Sequence, residues 1–132
     1  MVNTIDIRSS QRIELIDITG RVSEIVSASK MHNGIACLFV PHTTAAITIN
    51  EAADPSVVKD IIKKTSSLVP RQEGYLHMEG NSDSHIKTSL FGPQLNIIIE
   101  GGNLVLGTWQ GVYFAEFDGP RARKIYIKLI QD

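Results

Sequence analysis

The sequence carries one cysteine, Cys37, so no disulfide can form within the chain, and stability must come from burial. That sparing use of thiols suits a reducing compartment. Long apolar runs are also missing. The longest, from Ile35 to Pro41, falls far short of the ~20 residues that a membrane helix needs. The opening stretch MVNTIDIRSSQRIELIDIT has no apolar core after basic residues, so no secretion signal is expected and the expected location is the cytoplasm. Charge of one sign is lacking too: 13 Lys and Arg stand against 14 Asp and Glu, for a net charge of −1. Without a positive surplus, neither nucleic acid nor an anionic membrane is an expected partner. Several motifs are absent as well: the phosphate-binding P-loop, GxGxxG, the nucleophile elbow GxSxG and H-E-x-x-H. Gly101-Gly102 closes a strand with no helix after it, so it reads as a turn.

What is present is enough for one core. The chain has 132 residues, 42% of them hydrophobic. This predicts a single domain over 1–132, and it excludes a disordered chain and a (β/α)8 barrel of about 250 residues. VNTIDIR (2–8) and QRIELID (11–17) read as two strands around a tight Ser9-Ser10 turn. Val22, Ile25, Val26 and Ser29 fall at helical spacing, with Thr19 as N-cap and Asn33-Gly34 as a stop, predicting a helix from about Gly20 to Met31. IACLFV (35–40) reads as a central strand buried on both faces, and a further strand follows at about Ala46 to Asn50. Asp54-Pro55 is a strong helix start, and Val58, Ile61, Ile62 and Thr65 carry that helix to about Ser66.

Residues 70–84 are polar and without period, a loop long enough to suggest a functional role. LNIIIE (95–100), LVLGTWQGVYFAEF (104–117, bent at Gly107 or Gly111) and ARKIYIKLI (122–130) read as strands joined by Gly101-Gly102-Asn103 and Asp118-Gly119-Pro120. The expected fold is α+β: a mostly antiparallel, curled β-sandwich with about two flanking helices.

Of four histidines, His32 sits at a predicted helix end and reads as structural. His42 follows a buried strand, and His77 and His85 bracket the polar loop. Three imidazoles from separate segments could form an open metal site. Spacing alone favours three unrelated loop histidines, since no compact motif such as H-E-x-x-H is present. Asp54 is explained by its capping role, whereas Glu51 has no such explanation. Along 108–117, Thr108, Gln110, Val112, Phe114 and Glu116 share one face. A polar residue among apolar ones needs a partner or a pocket, unless that face is half-exposed. Arg121 and Arg123 could bind phosphate through paired guanidinium forks, or could form a solvated basic edge. Cys37 lies among Ile35, Ala36, Leu38 and Phe39 and reads as core.

The order PHTTAAITINEAADP, a histidine near EGN, HIKTSLFG and LGTWQGVYFAEFDGPRARK resembles the YjbQ family, also described as secondary thiamine-phosphate synthases. The likeness spans almost the whole chain, and the stretch ending in GTWQ is its most specific part. The resemblance implies a jelly-roll-like sandwich assembled as a homotrimer. It implies His42, His77 and His85 as ligands of a divalent metal ion, zinc or similar. It marks Glu51, Glu116 and Gln110 as catalytic and Thr43, Asn50, Asp54 and Arg121 as substrate-binding. The implied activity is a weak thiamine-phosphate synthase activity, joining hydroxymethylpyrimidine diphosphate to thiazole phosphate with release of pyrophosphate. Arg121 or a metal would then hold the leaving diphosphate, and Glu51 or Glu116 would act as base. Metal-assisted hydrolysis and a non-catalytic homotrimer that binds metal and ligand are the alternatives.

Overall fold

The computed structural model describes residues 1–132. Strand β1 (Val2–Arg8) is followed by β2 (Glu14–Asp17), helix α1 (Thr19–Ser29), β3 (Gly34–Phe39) and β4 (Ala45–Glu51). Then come α2 (Pro55–Leu68), α3 (Ser82–Phe91), β5 (Gln94–Glu100), β6 (Asn103–Leu104), β7 (Gln110–Glu116) and β8 (Ala122–Gln131). Five strands form one sheet in the order β1-β8-β3-β5-β6, three form another in the order β2-β7-β4, and every pairing is antiparallel. The fold is therefore α+β in a single domain, two antiparallel sheets curled into a half-barrel with three helices.

One core lies between the sheets. Ile5, Ile7, Leu38, Ile97, Ile99, Ile125 and Ile127 enter it from the larger sheet, Ile47, Val112 and Phe114 from the smaller, and Val22 and Val26 from α1. β-Branched side chains dominate it, as suits residues packed on a pleated surface. A smaller cluster of Ala46, Ala115 and Phe117 fills the other face of the three-stranded sheet, where Phe91 at the end of α3 packs edge-on against Phe117.

Several sequence expectations are corrected. β1 and β2 are not a hairpin: β1 pairs with β8 and β2 with β7, so the chain changes sheets at Ser9-Ser10. The change is fixed by burial, because the Ser9 hydroxyl donates to Glu116 Oε1 at 2.6 Å. Thr19 is the first residue of α1 rather than its cap; Asp17 Oδ1 accepts from the Thr19 amide at 2.9 Å and from its hydroxyl at 2.6 Å. The helix ends at Lys30, in the left-handed region at φ 58°, before Asn33-Gly34 is reached. β3 is buried on one face only: Ile35 and Phe39 are exposed and Cys37 is half-exposed rather than core. The long strand expected over 104–117 is broken, with only Asn103–Leu104 and Gln110–Glu116 paired. Gln110 closes the turn between them, its Oε1 accepting from the Gly107 amide at 2.7 Å.

α2 starts as expected, with Asp54 Oδ1 accepting from the Ser56 amide at 2.9 Å and Pro55 at the first position. None of its residues is fully buried. α3 was not expected at all. Its buried side carries Asp83, Ser84, Lys87 and Thr88, while Ile86 and Leu90 face outward. The helix is amphipathic with its polar face inside, the inverse of the usual pattern.

Candidate functional site

Beneath the site lies an ion pair built into the core. Glu116 and Arg123 are both buried, and Arg123 Nη2 donates to Glu116 Oε2 at 2.6 Å. Arg123 Nε donates to Oε1 at 3.0 Å, Ser9 Oγ to Oε1 at 2.6 Å, and the Asp118 amide to Oε2 at 3.2 Å. Arg123 Nη2 also donates to Thr44 Oγ1 at 2.8 Å. Every oxygen of this carboxylate is spoken for, which is the condition for a buried pair to be tolerated. Gly119 makes room for it: a Cβ there would lie 2.3 Å from the Gln11 carbonyl oxygen and 2.6 Å from Ser9 Oγ. Glu116 thus shares its face with apolar neighbours and finds a partner, and in this state it holds the seam between the sheets.

Above the pair, β1 and β8 leave an open cavity of about 380 Å³ lined by Asp6, Ile7, Arg8, His42, Ala122, Arg123 and Lys124. β1 and β8 pair with Asp6 opposite Lys124 and Arg8 opposite Ala122, so alternate residues of both strands face the cavity from the outer side. Neither Arg8 nor Lys124 forms an ion pair with any carboxylate of the chain. His42 reaches the cavity from the β3–β4 loop, and its Nε2 accepts from the Lys124 backbone amide at 2.9 Å. Burial, then the nearby Arg123 guanidinium, hold its pKa below the ordinary histidine value.

Arg121 does not line this cavity. Its Nε donates to the Asp118 carbonyl at 2.8 Å and its Nη2 to Asp118 Oδ2 at 3.1 Å. Asp118 Oδ2 also accepts from Asn81 Nδ2 at 2.9 Å, so Arg121 braces the turn before β8 against the start of α3.

The remaining expected residues lie elsewhere. His77 and His85 stand together, ring centroids 5.3 Å apart in a T-shaped arrangement, over a shallow cavity with Tyr75, Leu76, Ser82 and Ile86. His77 Nε2 is 3.6 Å from Glu79 Oε2 at the surface. Under them, Arg12 Nη2 donates to Asp83 Oδ1 at 2.8 Å and Lys87 Nζ to Asp83 Oδ2 at 3.1 Å, Asp83 and Lys87 being buried. Asn50, Glu51, Asp54 and Gln110 gather at the far end of the smaller sheet. Ala45 pairs with Glu116 near His42, whereas Glu51 pairs with Gln110 six residues further on, roughly 20 Å along the strand. There Asn50 Oδ1 accepts from the Glu51 amide at 2.7 Å and Glu51 Oε2 from the Ala53 amide at 3.2 Å. Thr43 is exposed beside His42.

One chain therefore brings His77 to His85 but not to His42, and no three metal-donor side chains gather in it. The residues do not fit a three-histidine metal site within one chain, the more so because His42 Nε2 already holds an amide proton. Arg8, Lys124 and Asp6, the residues that shape the cavity, were not singled out from the sequence. They sit on the outward positions of strands, where charged residues are ordinary, and only the tertiary register turns them toward one histidine.

Fold and cavity together define a class: a small two-sheet α+β domain with a cation-lined cavity at the edge of its larger sheet. No helix in it is long and apolar enough to cross a membrane. The chain belongs to the YjbQ-like UPF0047 family, whose model matches residues 3–132. It is 56% identical over 126 residues to the UPF0047 protein MJ1081 of Methanocaldococcus jannaschii, covering 96% of this chain and 91% of that one. It is 47% identical to UPF0047 protein YugU of Bacillus subtilis, covering 98% and 99% of the two chains. Among solved structures, an uncharacterised YjbQ/UPF0047 protein of Clostridium acetobutylicum superposes with a TM-score of 0.95 at 50% identity, covering 97% and 99%. A YbjQ-like protein of unknown function from Sulfolobus solfataricus does so with a TM-score of 0.95 at 32% identity, covering 100% and 97%.

Proposed function

We propose that this chain binds a small phosphorylated metabolite in the cavity between β1, β8 and His42 and acts on its phosphorylated end. The observation that supports this reading is the pair Arg8 and Lys124, two cations without a carboxylate partner on the wall of one cavity. Arg123 adds to the positive field from the floor, largely offset by Glu116, and Asp6 is the one carboxylate in the lining. Fixed cations aimed at a leaving diphosphate stabilise the charge that develops on it. The thiamine-phosphate synthase reaction implied by the resemblance releases pyrophosphate and is the reaction we assign to this cavity. In this assignment Arg8 takes the diphosphate-holding role first expected of Arg121, and Glu116 supports the cavity floor.

Calorimetric titration of pyrophosphate tests the reading. The wild-type protein binds it, and Arg8→Gln, which loses a bidentate donor, binds about tenfold or more weakly. A wild-type protein that does not bind pyrophosphate at millimolar concentration defeats the proposal.

A second reading, a ligand-binding homotrimer, rests on a different observation: apolar side chains stand exposed on two surfaces. Ile35, Ile98 and Ile130 lie abreast on the outer face of the larger sheet. Leu76 and Met78 flank His77 at 96% and 92% exposure. Surfaces of this kind are covered when copies assemble. In this arrangement the His77–His85 pair offers two donors to a divalent ion, and a third would have to be supplied by a neighbouring copy. Light scattering that shows only monomer at working concentration removes this reading.

A further inference from the structure

We propose that His42 is a neutral hydrogen-bond donor, presenting its Nδ1–H to an anionic oxygen held by Arg8 and Lys124, and is not a metal ligand. The proposal rests on the anion-binding reading above and gives one side chain of that cavity a defined chemical state.

Strand register sets the surroundings of the ring. β8 outruns β3: their pairing stops at Phe39 opposite Tyr126. Two residues further back along β8, the amide of Lys124 has no residue of β3 to meet, and the His42 ring takes that place at 2.9 Å. A backbone amide is a donor and nothing else. The ring nitrogen facing it, Nε2, therefore carries a lone pair, and the neutral ring carries its proton on Nδ1. Nδ1 makes no hydrogen bond within the chain and is not among the sealed polar atoms, so it is accessible on a residue that lines the cavity.

The same bond opposes metal ligation through either nitrogen. Ligation through Nε2 would cost the amide of Lys124 its acceptor. Ligation through Nδ1 would force the proton onto Nε2, against the proton of that amide. Either path breaks the bond to the Lys124 amide. Burial and the Arg123 charge also disfavour the doubly protonated ring. A neutral imidazole steadied by a backbone amide and donating through its other nitrogen polarises an oxygen without giving up its proton.

The ligand class follows from the donors. Arg8, Lys124 and Nδ1–H offer protons, and Asp6 is the single carboxylate of the lining. The group they fit presents acceptor oxygens without protons of its own, as an ionised phosphoryl group does.

Long-range nitrogen–proton NMR of the imidazole rings, with pyrophosphate as probe, tests this. At neutral pH the expected state is Nδ1–H with a bare Nε2, and pyrophosphate shifts Nδ1 while the Lys124 amide stays hydrogen-bonded. H42N keeps an N–H near the position of Nδ1 and retains pyrophosphate affinity within a few-fold. H42Q can keep an acceptor for the Lys124 amide, but it lacks the Nδ1 donor and binds about tenfold or more weakly. Added zinc moves the His77 and His85 resonances and leaves those of His42 in place. An Nε2–H tautomer, zinc-induced shifts of His42 with loss of the Lys124 bond, or equal affinity in H42Q overturns the proposal while the anion-binding reading stands. Absence of pyrophosphate binding in the wild type overturns both. The wild-type spectra decide the tautomer even where a variant fails to fold.

Discussion

Two polar networks are buried in this domain, and they are completed to different degrees. At the seam under His42, Glu116 receives four donor atoms, from Ser9, Arg123 Nε and Nη2 and the Asp118 amide, and Arg123 Nη2 ends on Thr44. Under α3, Asp83 is held by Arg12 and Lys87, but Arg12 Nε, Asn81 Oδ1 and Thr88 Oγ1 are buried without a partner in the chain. A fully satisfied network fixes its surroundings in one arrangement; a partly satisfied one gives back some of the energy of burial. The seam is thus a rigid floor for the cavity. α3 is attached through an incompletely satisfied ion network and the Phe91–Phe117 contact, and it turns Ile86 and Leu90 outward.

The largest expected effect breaks the seam. Glu116→Ala leaves Arg123 buried with no counter-charge, and should cost about 3–5 kcal/mol of unfolding free energy by denaturant titration. A loss under 1 kcal/mol would mean that the pair is not a unit. Lys87→Met should cost less, about 1–3 kcal/mol, because Asp83 keeps the Arg12 fork. Equal losses in the two variants would erase the distinction between the networks.

Acid should separate the regions next. Burial pushes the Asp83 pKa up, but hydrogen bonds and charge from Arg12 and Lys87 outweigh it and hold the carboxyl below its unfolded value of 3.8. The unfolded chain then binds its proton first as pH falls. The stability contributed by Asp83 is complete above about pH 4 and is lost as pH drops through the lower folded value. His42 acts at a higher window: its folded pKa lies below 6.5, so the unfolded chain takes up that proton first and stability starts to fall below about pH 6.5. Melting temperature followed from pH 8 to 3 should show both steps, with Asp83→Asn flattening only the lower one.

The smallest effect on folding belongs to the exposed side of α3. Leu90→Ser, at a position 69% exposed, should change chain stability by no more than about 0.5 kcal/mol. If α3 packs against another copy, the same substitution lowers the association state seen by light scattering.

α3 also marks the limit of what apolar periodicity encodes in this sequence. Its apolar residues Ile86, Leu90 and Phe91 do not trace a buried stripe, because the buried side is Asp83, Ser84, Lys87 and Thr88. Periodicity reports burial of apolar groups, and here burial was ionic. The polar segment 70–84 therefore seemed to be loop to its end, though its last residues begin a helix that carries His85. The reverse error occurred at β3: a continuous apolar run suggested burial on both sides, but Ile35 and Phe39 lie on the outside of the larger sheet. The break at 105–109 was marked only by Gly107, and the structure shows Gln110 spent on that turn.

By itself, the sequence determined the local elements whose signals are local. Asp54-Pro55 started α2, the alternation in ARKIYIKLI made β8, Gly101-Gly102 turned β5 into β6, and the motifs ending in GTWQ placed the chain in its family. Only the tertiary structure decided which charges meet. Arg123 and Glu116 are seven residues apart and Ser9 is 107 from Glu116, yet they form one network. Arg8, Lys124 and His42 come from three segments whose patterns said only strand, strand and loop. The reason is physical: an alternating strand states which side chains share a face, but its partner and register state what that face will touch. In this domain the end of β3 at Phe39 exposed one amide of β8, and His42 was the group within reach.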